Sequence, residues 1–191
     1  RLTGAKLAAQ RLDGPTPMPE PLKAQIRTLL TDTAPAVRRR AAVLLAKSGD
    51  DQAVKLLTAR LASDRAVEVR RGIYQALGLV GDGGVWDLLL DAVAAEEPTA
   101  AVASAAALTR IAEKNGLTAR QRDAAAKALT TRYRAAGAND TRLREALLTA
   151  MGALKDKRLA DVLKPALKDP AATVRLGAVQ ALQQIGDAAN A

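Results

Sequence analysis

Four arginines recur at one place in the chain. Arg38, Arg70 and Arg175 each follow a valine, Arg144 follows Leu143, and three of the four trail an aspartate by six residues: Asp32, Asp64 and Asp169. A guanidinium is a planar fork of donors that suits a phosphate, a carboxylate or the free carbonyls at a helix end. Repeated phosphate binding is one reading of the set; the fixed relation to the aspartates favours arginine and acid holding each other. Other candidates for chemistry are few. There is no histidine and no cysteine, so Ser-His-Asp and Cys-His nucleophilic sites, His-ligated metals and thiolate metal sites are excluded within the chain. Glu96-Glu97, and Asp87 with Asp91 at i, i+4, leave carboxylate-only acid–base or metal chemistry formally open. Glu96 and Glu97, however, stand where one helix would end and the next would be capped. Gly81-Asp82-Gly83-Gly84 has neither a preceding strand nor a following Gly-Lys-Ser/Thr, and so fails as a phosphate-cradling loop. No catalytic residue, metal, cofactor or small-molecule substrate is expected.

The composition sets the kind of structure that must position these groups. The 191 residues are 49% hydrophobic but only 2% aromatic, so alanine, leucine and valine must do the packing. That suits helices lying close together over many small contacts, and the apolar content excludes a disordered chain. Lys and Arg number 29 against 20 Asp and Glu, a formal charge of +9, which favours acidic partners: an acidic protein, a nucleic acid or an anionic membrane surface. No apolar run approaches the roughly 18 residues of a membrane span. A soluble chain is expected, with the cytoplasm as the default compartment. Because the sequence opens at Arg1, a piece of a longer protein is also expected.

The arginines mark an internal repeat. Val37-Arg38 recurs as Val69-Arg70, Leu143-Arg144 and Val174-Arg175, with Val102-Ala103 as a weaker copy, at steps of 32, 33, 41 and 31 residues. An acid stands five positions before the anchor at Asp32, Asp64, Glu97 and Asp169; a Gly-Asp turn follows at Gly49-Asp50, Gly81-Asp82 and Gly186-Asp187. Each unit reads as helix, tight turn, helix. Val37, Ala41, Leu44 and Leu45 fall on one face of a period of about 3.6 residues. Asp32 or Thr33 can cap that helix, with Pro35 in its first turn, and Gly49 ends it. The second helix then buries Ala53, Leu56, Leu57 and Leu61, matched 32 residues on by Val85, Leu88, Leu89 and Val93. The 41-residue step inserts residues around Asn115-Gly116-Leu117-Thr118, and a long helix is predicted from Thr118 to Ala136.

The acid, often with proline, then Val-Arg, an Ala-rich stretch, Leu and Gly-Asp, resembles the short HEAT-like repeats named after phycobilin lyases. The segment from Asp169-Pro170 through Val174-Arg175 to Gly186-Asp187 is the closest copy. The resemblance implies an all-α, right-handed α-α superhelix of about five and a half two-helix repeats. Their bounds fall near 1–31, 32–63, 64–96, 97–137 and 138–168, with a half repeat at 169–191. The first unit is divergent, with helices near 2–12 and 19–31 around the loop Gly14-Pro15-Thr16-Pro17. The resemblance further implies a structural ladder between successive repeats, built from Asp32, Arg38, Asp64, Arg70, Arg144, Asp169 and Arg175. It also places the second helices on the concave surface. On those helices the candidate partner-binding residues are Lys55, Arg60, Trp86, Arg120, Lys127, Arg134, Arg158 and Lys164. Arg120, Lys127 and Arg134 recur at i+7 as one stripe. Trp86 reads either as a core or rim residue or as an aromatic anchor of the kind that dominates binding hot spots.

The function expected is a protein–protein interaction scaffold whose basic concave surface accepts an acidic or amphipathic partner. The alternative is phosphate-backbone binding by a module similar to HEAT-like bacterial DNA glycosylases, although only three aromatics are present and no motif of that family surrounds Trp86, Asp87 and Asp91. Chromophore handling and structural filler in a larger protein are further readings, the former with little to build a pocket from. Helical minima should dominate the far-UV circular dichroism of the purified chain; a strand-dominated spectrum would overturn the repeat.

Overall fold

Alanine-rich segments entered through an acid-capped turn become helices. The computed structural model describes residues 18–114 and 116–187; the helix expected near 2–12 and the loop at 14–17 lie outside them. Helix α1 spans Glu20–Leu29, α2 Pro35–Lys47, α3 Ala53–Ser63 and α4 Val67–Val80. A 3-10 turn, Gly83–Val85, leads into α5, Trp86–Ala95; α6 spans Pro98–Lys114, α7 Ala119–Ala135, α8 Thr141–Ala153 and α10 Ala172–Asp187. Between α8 and α10 the second helix of the unit is broken into the 3-10 turn Lys157–Leu159, the single turn α9, Ala160–Leu163, and the 3-10 turn Lys164–Lys168. Pro165 accounts for the break, since it lacks the N–H that a continuous helix would need and clashes with the preceding turn.

The turns share one device. A carboxylate accepts the backbone N–H two residues ahead: Asp32 from Ala34, Asp50 from Gln52, Asp64 from Ala66, Asp82 from Gly84, Glu97 from Thr99, Asp156 from Arg158 and Asp169 from Ala171. Such local bonds fix the chain in a turn and supply an acceptor to donors that a helix start leaves unpaired. The long second helix α7 starts differently, with a capping box in which Thr118 accepts from the Gln121 N–H and Gln121 accepts from Thr118.

The Gly-Asp turns are not alike. Gly49 has φ of +68°, the left-handed conformation that ends a helix at low cost with glycine. Gly81 has ordinary φ and is needed for space, because a Cβ there would lie 2.6 Å from Val85 Cγ2. Gly186 lies inside α10, so the turn expected there is absent. Leu44, assigned to the inner face of α2, is exposed; the helix instead buries Ala41, Ala42, Leu45 and Ala46.

The result is an all-α solenoid, with no strand among the described residues. The first helices α2, α4, α6, α8 and α10 pack each on the next, and α3, α5, α7 and the segment at 164–168 pack on the first helix that follows them. A continuous core of Leu, Ile, Val and Ala runs between the two layers. The first helices approach almost backbone to backbone. A Cβ on Gly78 of α4 would lie 2.7 Å from the Cα of Ala107 of α6, and one on Gly152 of α8 2.7 Å from the Cα of Ala181 of α10. On the second-helix side α5 packs on α7, and a hollow of about 560 Å³ opens around Thr58 of α3 and Leu88 of α5, above Tyr74.

Gly78→Val should destabilise the chain by about 2–3 kcal/mol, since the neighbouring backbone must move to admit it. Gly177→Ala should be neutral or stabilise by up to about 1 kcal/mol, because its Cβ would meet Glu145 and Leu148 only at 3.7–3.8 Å. Urea unfolding of the two variants checks both signs.

Candidate interaction surface

The repeated arginines tie neighbouring units together. Arg38 Nε and Nη2 donate to the two oxygens of Asp64 at 2.7 and 3.1 Å, and Nη1 donates to the carbonyls of Asp32 and Thr33 at 2.9 Å each. Asp32 therefore contributes its carbonyl, while its carboxylate serves Ala34. Arg70 donates to Glu96 at 2.7 Å and to the carbonyl of Leu61 at 2.8 Å. Arg144 bonds Asp169 and the carbonyl of Ala138. Arg175 reaches the carbonyls of Asp169 and Pro170 at 2.8 and 2.9 Å. Arg27 of α1 adds a further rung, to Asp50 at 2.7 Å. Sequence reasoning did not anticipate Glu96, Arg27 or Asp50 in this role. The 26-residue interval common to Arg38–Asp64 and Arg70–Glu96 was the available signal.

Asp64 carries the heaviest load. It is 2% exposed and also takes Arg60 Nε and Nη2 at 2.8 and 2.7 Å. Burial alone would raise its pKa, but hydrogen bonds from Arg38, the Ala66 N–H and Arg60 outweigh that and hold the carboxyl well below the usual carboxylate range. The Asp50 carboxyl is lowered chiefly by Arg27, and that of Asp156 chiefly by Arg158. Tyr74 sits behind the second rung, donating to Glu96 at 2.8 Å; burial and then Glu96 push its hydroxyl well above the ordinary tyrosine value. Glu97 caps α6 through the N–H groups of Thr99 and Ala100, so Glu96 and Glu97 are both occupied in structure. Asp87 and Asp91 stand exposed on α5.

The eight residues assigned to the second-helix surface divide. Trp86 is 1% exposed and packed in the core, which removes it as an aromatic anchor; it is the large side chain that fills the interlayer space at the start of α5. Arg60 is held by Asp64, Arg158 bridges Asp156 and Asp123, and Lys164 pairs with Asp161 at 2.9 Å. Lys55, Arg120, Lys127 and Arg134 are exposed and make no ion pair among the described residues. None of the eight lines the hollow on the first-helix side.

That hollow, about 830 Å³, lies across four successive first helices, α2, α4, α6 and the start of α8. Val43, Leu79, Val102, Ala103 and Ala106 give it an aliphatic floor. Lys47, Arg71, Arg110 and Arg142 stand around it, with Asp140 the one acid in its lining and the Glu97 carboxylate within electrostatic reach of Arg71. None of these four cations forms a salt bridge among the described residues, and Arg71 Nε is buried without a hydrogen-bond partner. The hollow opens where the ladder lacks a rung: Ala103 stands at the arginine position and Ala138 at the acid position.

A sequence profile described as HEAT repeats matches residues 20–109 and 126–191. The chain belongs to the HEAT repeat family. Comparison with curated proteins finds no match. The stretch left between the two matched segments of the HEAT array contains the inserted loop and the beginning of α7, where the 41-residue step falls. No described helix is long and apolar enough to cross a membrane.

Asp64→Asn should lower stability by about 3 kcal/mol near neutral pH, because two arginines lose a buried carboxylate. A carboxyl with a depressed pKa in the folded state stabilises fully above the unfolded value of about 3.9 and loses that contribution as pH falls through the folded value. The gap between wild type and Asp64→Asn in chemical unfolding should therefore be constant above about pH 5 and narrow steadily below about pH 4. A gap that widens in acid would contradict the assignment.

Proposed function

We propose that this HEAT array is a non-catalytic protein-interaction scaffold that offers a basic hollow on its first-helix side to an acidic or amphipathic partner. The observation that carries the reading is the hollow itself: four unpaired cations around an aliphatic floor, with one acid among its lining residues. The carboxylates of Asp50, Asp64, Glu96, Glu97 and Asp169 are held by the arginine ladder and the turns, which leaves them no part in chemistry on a substrate. HEAT repeats generally act as interaction scaffolds, and lack of histidine and cysteine removes the commonest catalytic groups. A phosphate-binding surface would use the same cations but would gain nothing from Val43, Leu79 and Val102. The exposed stripe Arg120, Lys127 and Arg134 on α7 is a second basic surface, without an apolar floor of comparable size.

The test is affinity capture from nuclease-treated extract of the source cells, comparing wild type with Arg71→Glu/Arg110→Glu and with Arg120→Glu/Lys127→Glu/Arg134→Glu, each verified as folded by circular dichroism. A protein recovered at least tenfold less by the first variant and undiminished by the second is the expected result. Loss confined to the α7 variant would move the site to that stripe. Duplex DNA binding tighter than roughly micromolar at physiological salt would replace the scaffold reading with a nucleic-acid one.

A further inference from the structure

We infer that the first-helix hollow takes an extended acidic segment of a partner protein, about eight or nine residues long, laid diagonally across the array. This rests on the scaffold reading and specifies its ligand. The lining residues set the path: Val43 and Lys47 come from the C-terminal half of α2, Arg71 to Leu79 from the length of α4, Pro98 to Arg110 from α6, and Asn139 to Leu143 from the very start of α8. Because the first helices repeat in the same sense, a line from Lys47 to Arg142 crosses them obliquely. Neighbouring packed helices lie about 8–10 Å apart, so three steps span about 24–30 Å. An extended chain rising about 3.3 Å per residue covers that distance in eight or nine residues.

The hollow of about 830 Å³ runs along that path with aliphatic side chains on its floor and guanidinium groups beside them. A single extended chain places alternate side chains on opposite sides, which suits a floor of Val43, Leu79 and Val102 beneath walls of Arg71 and Arg110. Carboxylates are the complementary side chains for the walls. Arg71 lines the hollow and makes no ion pair among the described residues, so an arriving acid meets a guanidinium not committed to the ladder. At the far end Asp140 gives its carboxylate to the Gly137 N–H and not to the helix it precedes, so α8 presents a start uncapped by any side chain beside Arg142, a further positive feature there. Ala106 is exposed in the middle of the hollow and leaves room for main chain to pass.

Selection of displayed random nine-residue peptides on the folded chain tests this, followed by fluorescence anisotropy of the enriched peptides. The expected outcome is enrichment of Asp and Glu interspersed with aliphatic residues. Affinity of those peptides should fall at least tenfold for Arg71→Glu/Arg110→Glu and for Ala106→Trp, which fills the hollow without changing charge. It should stay within twofold for Arg120→Glu/Lys127→Glu/Arg134→Glu. A proline substituted at a central peptide position should be tolerated within about threefold if the segment is extended and should abolish binding by a helix. Neutral or basic peptides, no enrichment, or binding indifferent to Ala106→Trp would overturn the inference. If protein capture from extract then persists and remains sensitive to Arg71 and Arg110, the scaffold reading survives and the extended acidic ligand falls. If both disappear, the scaffold reading falls with it.

Discussion

The shape of the array depends on how closely the first helices can approach. Gly78 against Ala107 and Gly152 against Ala181 bring neighbouring backbones into contact, which a chain with few aromatics and many alanines can repeat from unit to unit. The second helices add Leu57, Leu61, Trp86, Leu89 and Leu129 to the same core. Stacked in this way, four successive first helices bring residues from four units around one hollow. Packing at the level of single methyl groups thus sets how closely the units stack.

The arginine ladder works at right angles to this packing. Each rung satisfies the loop carbonyls of its own unit and the acid of the next, so it fixes the separation and rotation of units while leaving few buried polar groups unpaired. The ladder also sorts the charge. Arg38, Arg70 and Arg144 are committed to carboxylates, whereas Lys47, Arg71, Arg110 and Arg142 are not. The excess positive charge of the sequence consequently falls on surfaces rather than spreading evenly, and the first-helix hollow receives a share of it. Where the arginine is replaced by Ala103 and the acid by Ala138, the ladder gives way and the hollow passes between the units. The break coincides with the longer step and with α7, which replaces a rung partly by donating from Arg132 to the Glu96 carbonyl at 3.1 Å.

The repeat, the all-α class, the family and most helix bounds were legible because each depends on neighbours within about one turn or on exact recurrence. The apolar period, the acid three residues before a helix start and the proline in a first turn are local signals, and the interval between copies needs only counting. Pro165 was equally visible, yet its consequence, a second helix reduced to single turns, was not drawn from it. Glu96 rather than Glu97 as the rung for Arg70 was ambiguous because adjacent acids differ in direction, not in sequence distance.

Tertiary structure alone decided which residues gather around each hollow, that Trp86 is core, and which cations make no ion pair among the described residues. These are properties of pairs of helices about 30 residues apart in sequence. A second helix rich in lysine and arginine reads as a binding face from sequence alone, and which of its cations an acid holds depends on interhelical distances that no periodicity records. Charge totals were determined by composition; their division into ladder and hollow required knowing which carboxylate each guanidinium could reach. Sequence specified the repeating unit because its interactions are local, and packing specified the surface because that surface exists only between units.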